Sequence, residues 1–242
     1  MRVALISDIH ANAVALHAVL DDIERVGADR IVCLGDVATL GPRPHEVLET
    51  LRRLSCPCIM GNHDAFLLDP ELIRSYTEAP IVVDSVDWCR GQLTADEEAF
   101  LGTFVPRIEV PLSPGVVLLL FHGSPRSHME DILATTPADE LDRMLEGHAA
   151  AVHAGGHTHV QMLRQHRGVL VVNPGSVGLP FREFAFRQAP TLLHHAEYAV
   201  IEAREHAVGV TLLRVALDRE DLRREAESSE CPNRDVLVAQ YS

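Results

Sequence analysis

The chain has 242 residues, 47% of them hydrophobic, with 15 Gly and 14 Pro, enough apolar material for one large domain. Disorder and a disulfide-stapled miniprotein are both excluded. Its 21 Lys+Arg against 35 Asp+Glu leave a formal charge of −14, which repels phosphate backbones and anionic lipid and excludes non-specific nucleic-acid binding.

Residues 2–7 form a short apolar run that predicts a strand; it reaches Asp8 too soon for a signal peptide. Leu16, Leu20, Ile23 and Val26 then recur at helical spacing up to Gly27. The pattern repeats as a strand over 30–34, a Pro/Gly loop over 41–44, a helix near 45–54 and a third strand over 57–60. This βαβαβ alternation predicts a layered α/β domain with parallel early strands. The stretch 64–104 reads as helical, with Thr94 and Glu97 spaced as a capping box.

The second half is richer in strands. Runs at 107–111 and 115–121 precede a helix over 137–147, and further runs follow at 150–154, 161–165 and 168–172. Residues 197–203 and 207–217 read as a hairpin, and 218–229 as a charge-dense helix with a solvated face. Without a repeat or linker the chain is one domain, with a core over 1–217, a C-terminal helix and tail over 218–242, and a loosely held last dozen residues. No run approaches the about 20 apolar residues of a membrane span, so no membrane partner is expected. Cys33, Cys56, Cys58, Cys89 and Cys231 are odd in number and thinly spread, which predicts a reducing, cytoplasmic compartment. On a strand, Cys56 and Cys58 point to one face and are expected in the core.

Five polar clusters follow five apolar runs: Asp8-Ile9-His10, Gly35-Asp36, Gly61-Asn62-His63-Asp64, His122-Gly123 and Gly156-His157-Thr158-His159. The carboxyl ends of strands in a layered α/β protein share one edge, so these distant positions converge. Asp8, His10, Asp36, Asn62, His122, His157 and His159 supply seven N and O donors, too many for one tetrahedral ion and suited to two divalent ions. Two dications against two carboxylates leave positive charge, which invites a phosphoryl group despite the acidic surface.

In this order the clusters resemble those of the calcineurin-like metallophosphoesterase superfamily. The segments 7–16 (SDIHANAVAL) and 173–180 (NPGSVGLP) resemble its small bacterial and archaeal branch. The resemblance spans about residues 3–180 and implies a layered β-sandwich flanked by helices. It implies one metal on Asp8, His10, Asp36 and His159 and another on Asp36, Asn62, His122 and His157, with Asp36 as the bridge. His63 would be the general acid or a donor to the phosphoryl group, Asp64 would orient His63, and metal-bound hydroxide would attack. Manganese is the first expectation for the ions, with iron, zinc, cobalt or nickel admitted by the same donors.

The expected substrate is a phosphodiester or a small phosphorylated metabolite. The superfamily's Ser/Thr protein phosphatases carry GNHE, where this chain has Asp64. Alternatives are a dinucleoside-polyphosphate hydrolase, disfavoured by few aromatic residues, and a non-catalytic scaffold, disfavoured by the full donor set. Asn12 stands where the first helix needs an N-cap and is also a candidate substrate contact. Arg182 and Arg187, in the segment FREFAFRQAP, are candidate grips for a non-scissile phosphate or carboxylate. Here the chain departs from the family, which tends to place an arginine where Phe181 stands. Residues 173–176 are expected to form a structural turn.

Overall fold

Alternation along the first strand, β1 (Arg2–Ile6), sets the architecture. Val3 and Leu5 enter one apolar cluster and Ala4 and Ile6 another, so both faces of the strand are covered. The computed structural model describes residues 1–185, 189–205 and 207–242.

Helix α1 (Ala13–Val26) follows, capped by Asn12, whose side chain accepts from the Ala15 N–H at 2.9 Å. Strand β2 (Arg30–Cys33) and helix α2 (Pro44–Leu54) come next, α2 opening on a proline whose missing N–H would have had no helical partner there. The predicted third strand is reduced to isolated bridges, Cys33 with Cys58 and Ile59 with Val105. Pro57 lacks a ladder donor and the run is too short to sustain pairing. Four short helices then cover one side: α3 (Asn62–Leu68), α4 (Glu71–Tyr76), α5 (Pro80–Arg90) and α6 (Ala95–Leu101). The Thr94/Glu97 capping box is formed at the start of α6.

Strands β3 (Ile108–Ser113) and β4 (Val116–Leu120) make a hairpin, followed by α7 (Ala138–Leu145), β5 (Val152–Ala154), β6 (Met162–His166) and β7 (Val169–Asn173). The long hairpin of β8 (His195–Arg204) and β9 (Ala207–Ala216) leads to α8 (Arg219–Glu227) and α9 (Arg234–Tyr241).

The strands form two sheets, ordered β2-β1-β8-β9 and β3-β4-β5-β7-β6. Pairing is parallel for β1 with β2, β4 with β5 and β5 with β7, and antiparallel for β1 with β8. Between the sheets lie Val3, Leu5, Val32, Leu118, Leu120, Val152 and Ile201, each worth about 1.5–3 kcal/mol of transfer free energy for the larger side chains. Outside the first sheet, Leu16, Val19, Leu48, Leu51 and Phe66 pack the helices against it. Outside the second, Leu141, Met144 and Leu145 of α7 cover Leu119 and Phe121. Helix–sheet–sheet–helix layering is the result.

The C-terminus is firmly held, contrary to the loose tail expected. Leu237 and Tyr241, one helical turn apart on α9, are buried with Leu222, Ala226, Leu179 and Leu192. All five cysteines are free thiols; Cys58 is buried in the core and Cys56 packs against it.

Candidate metal centre

Four strands end at one rim. Asp8 and His10 follow β1, Asp36 follows β2, His122 follows β4, and His157 and His159 follow β5, while Asn62, His63 and Asp64 open α3. All nine side chains are buried. Asp8, His10, Asp36, His157 and His159 have φ of 53°, 46°, 58°, 69° and 57°, in the left-handed region. Such backbone costs on the order of 1 kcal/mol or more per residue and persists only where the surroundings impose it. Here Asp8 N–H donates to Gly35 O at 2.9 Å, His10 N–H to Asp36 O at 3.0 Å, and Gly178 N–H to Asp8 O at 3.1 Å. A Cβ at Gly61 would collide with the Asp36 carboxylate, and one at Gly156 with the Ser7 hydroxyl.

The donors fall into two groups, Asp8/His10/His159 and Asp36/His122/His157, with ligand atoms within 4.8 Å of one another in each. Asp36 faces both: its Oδ2 is 3.4 Å from His122 Nε2 and 3.8 Å from His10 Nε2. Asn62 Oδ1 is 3.0 Å from His122 Nε2. Backbone carbonyls occupy the opposite ring nitrogens: His10 Nδ1 faces Thr39 O at 3.3 Å, His122 Nδ1 faces Leu34 O at 2.8 Å, and His159 Nδ1 faces Leu179 O at 2.7 Å. A carbonyl only accepts, so each Nδ1 carries a proton and each Nε2 is turned inward, where it offers a lone pair to a cation once any second proton has left. His10 Nε2 and His159 Nε2 lie 3.1 Å apart. Two ring nitrogens at that distance share a positive charge, a proton in the metal-free protein or a cation in its place.

The electrostatics state the same demand. Burial alone would raise Asp8, but His159 beside it holds the carboxyl down at about 2. Asp36 also stays well below the carboxylate range, burial being outweighed by His122 and His63. Burial opposes protonation of His122, yet Asp36 and Asp8 push it up to about 9, and Asp8 likewise raises His159. His10 falls to about 3 through burial and its neighbour His159, and His63 to about 4, chiefly through burial. Among the described residues the nearest partner of the buried Asp8 Oδ1 is His159 Nε2, at 3.3 Å, and the Asn62 amide nitrogen finds no acceptor. Buried imidazole nitrogens and carboxylate oxygens converging in this way form a mixed donor set that fits divalent cations.

Asp64 does not meet His63. Its carboxylate accepts from the N–H groups of Asp36 (2.7 Å), Val37 (2.9 Å) and Gly61 (3.0 Å), so it clamps the Asp36 loop. Thr39 Oγ1 contacts His63 Nδ1 instead, at 2.8 Å. Asn12 is spent on structure: besides capping α1 it donates to Gly178 O at 3.0 Å, which leaves the substrate-contact reading without support. Arg182 is exposed, with Glu183 at 3.5 Å, and among the described residues its side chain makes no hydrogen bond or ion pair with the cluster; Arg187 lies outside the described residues. The 173–176 turn ties the metal loops together, Ser176 Oγ donating to Asp8 O at 2.6 Å and Asn173 Nδ2 to Gly156 O at 2.6 Å.

Several residues around the cluster carried no motif. Phe181 stacks on His159 with ring centroids 4.2 Å apart, and Asp131 Oδ1 lies 3.3 Å from His157 Nε2. Tyr76 stands at the mouth, its ring 6.3 Å from that of His157. The one signal was indirect: Phe181 marked the departure from the family pattern.

Face-to-face sheets between helices, with paired His/Asp clusters at the strand ends, define a metal-binding α/β sandwich protein. The chain belongs to the calcineurin-like phosphoesterase superfamily, whose domain matches residues 1–202. It is 31% identical over 193 residues to the uncharacterized protein MJ0912 of Methanocaldococcus jannaschii, covering 74% of this chain and 76% of that one. It is similar to the metallophosphoesterase of Sphaerobacter thermophilus, at 27% identity and TM-score 0.76 over 100% of this chain and 98% of that one. The hypothetical protein PH1004 of Pyrococcus horikoshii shares the fold, with TM-score 0.81 at 19% identity over 98% and 96% of the two chains. Among the described residues, no helix is long and apolar enough to cross a membrane.

Proposed function

We propose that the protein is a metal-dependent hydrolase of phosphoesters, favouring phosphodiesters or small phosphorylated metabolites. The observation that carries this reading is the convergence of two buried donor groups, Asp8/His10/His159 and Asp36/His122/His157, each with its ligand atoms within 4.8 Å of one another. Asp8, His10, Asp36 and His159 would hold one cation and Asp36, Asn62, His122 and His157 the other. When bound, the two ions supply positive charge for the phosphoryl oxygens and a water acid enough to serve as nucleophile near neutral pH.

The chain's own side chains do the rest. His63 uses Nδ1 on Thr39, and its Nε2 has no protein partner among the described residues and is not sealed from solvent. From there the neutral ring donates an Nε2–H hydrogen bond to the phosphoryl group; to protonate the leaving oxygen it would first have to take up a second proton, which burial opposes. No side-chain nucleophile is required. Asp131 bears on the substrate class: a carboxylate at the mouth disfavours chains of phosphates. Among the described residues no arginine hydrogen-bonds or ion-pairs with a cluster residue.

The test is chelation, reloading with Mn²⁺, and a screen of a chromogenic diester, a monoester and a dinucleoside polyphosphate. Diester turnover that His63→Ala suppresses while metal content persists is the expected result. Silence with every metal and substrate would leave a scaffold with this fold.

A further inference from the structure

His63 is held from behind by one loop. Thr39 Oγ1, 2.8 Å from His63 Nδ1, has no other partner among the described residues, so its buried hydrogen goes to Nδ1 and the ring proton rests on Nε2. The carbonyl of the same residue faces His10 Nδ1 at 3.3 Å. The next residue, Leu40, has a φ of 70°, a left-handed backbone that a leucine adopts only when held there.

The C-terminal segment holds it. Asn233 Nδ2 donates to Leu40 O at 3.0 Å, and Asn233 Oδ1 meets the Ser85 hydroxyl at 3.0 Å. Ser229 Oγ reaches Pro42 O at 3.3 Å, and Arg43 donates to Ser228 Oγ at 2.6 Å. The Leu40 side chain packs against the cluster built by Leu222, Cys231, Leu237 and Tyr241. On its other side the loop rests on the turn that carries His10, with Arg43 N–H donating to Ala11 O at 2.9 Å. Asn233 is itself buried and lies beyond residues 1–202, the span that matches the superfamily domain.

We propose that Asn233 is a positioning residue for His63: by fixing the Leu40 carbonyl it holds Thr39 against Nδ1 and keeps the His63 proton on Nε2. The C-terminal segment is then part of the catalytic apparatus and not an appendage to the domain. This inference rests on the role given to His63 above.

The test uses full-length Asn233→Ala and Asn233→Asp, the latter keeping size and Oδ1 while losing the N–H donor. Metal content, thermal midpoint, kcat and KM are measured, together with the long-range ¹H–¹⁵N spectrum of the metal-free protein, with His63 assigned from His63→Gln. At saturating metal, needed because Thr39 O also faces His10 Nδ1, we expect kcat to fall about tenfold with KM unchanged. The His63 ring nitrogens should lose the pattern of a single tautomer and move toward each other. Thr39→Val should give the same changes, Thr39→Ser should largely restore them, and Thr39→Val/Asn233→Ala should lose no more than either single variant. An unaltered His63 spectrum in both Asn233 variants overturns the proposal, as does a fully additive double variant. If His63→Ala turns over normally, the catalytic role of His63 fails, and the ring spectrum still decides whether Asn233 positions it.

Discussion

Asp64 binds Asp36 through its backbone: the Asp64 carboxylate accepts the Asp36 N–H at 2.7 Å while the Asp36 carboxylate accepts the His63 N–H at 2.9 Å. The two acidic residues thus lace the β2 loop to the start of α3, with one carboxylate spent on structure and the other left to face the histidines. Asn62 lies between Gly61, whose N–H is held by Asp64, and His63, whose N–H is held by Asp36, and its Oδ1 faces His122 Nε2 at 3.0 Å.

Asp64→Asn replaces one acceptor oxygen by an amide that confronts an N–H of Asp36, Val37 or Gly61. We expect a loss of about 2–4 kcal/mol of stability and weakened metal binding, read from urea unfolding and chelator competition. A side chain that merely oriented His63 would depress kcat and leave stability alone.

The metal-free protein should respond to pH in a defined sense. His122, raised to about 9, and His159, also raised, bind protons in the folded state that the unfolded chain has already released above about 6.5. Stability they contribute is complete below about 6.5 and lost as pH climbs toward 9, by up to about 3 kcal/mol for His122. The thermal midpoint under chelation should therefore fall across this window. Metal uptake should release protons and strengthen with pH, which calorimetry in buffers of different ionisation enthalpy measures. A flat midpoint between pH 6.5 and 9 would contradict the assigned charges.

Ligand variants separate the two ions. His10→Ala should cost the ion beside Asp8, and His122→Ala the ion beside Asn62, each leaving about one per chain by elemental analysis. Asp36→Asn should weaken both, because its Oδ2 faces His122 and His10 together. Two ions retained in every variant would sink the assignment.

The donors were legible in the sequence because each follows an apolar run, and strand ends converge whatever lies between them. The apolar run of β1 and the Thr94/Glu97 box were legible for the same reason: they are local patterns. The run 57–60 misled because Pro57 removes a ladder donor that apolarity alone does not reveal. The packing of α9 was invisible since Leu237 and Tyr241 are too sparse to announce a buried face. Asp64 sits beside His63 in sequence, yet the helical start turns it toward three backbone amides, and Thr39 takes the place expected for it.

Asp131 offers a test of substrate choice. Its carboxylate is partly exposed, 3.3 Å from His157 Nε2. Asp131→Asn removes one negative charge from the mouth, which at a partly solvated site amounts to about 1 kcal/mol, roughly fivefold. We expect kcat/KM to rise for monoester dianions and polyphosphates relative to a diester monoanion, with the gain shrinking at high salt. Equal changes for all three substrates would mean that Asp131 acts on the metal site alone.

Phe181 supports the cluster by contact alone. Its ring lies over that of His159 at 27° and 4.2 Å between centroids, while its N–H donates to His159 O at 3.0 Å. The N–H bond survives truncation of the side chain, so Phe181→Ala isolates the effect of the stack. Freed of that ring, His159 keeps its bond to Leu179 O but gains torsional freedom about it. Groups that orient a metal-binding imidazole are worth about 10- to 100-fold in metal affinity, and we expect the lower end here because the Nδ1 anchor remains. Chelator competition should show about a tenfold weaker ion at the Asp8/His10/His159 group and no change at the other. Phe181→Leu should fall between, as it restores bulk without a flat face. Unchanged affinity in Phe181→Ala would show that the Leu179 carbonyl suffices to hold His159.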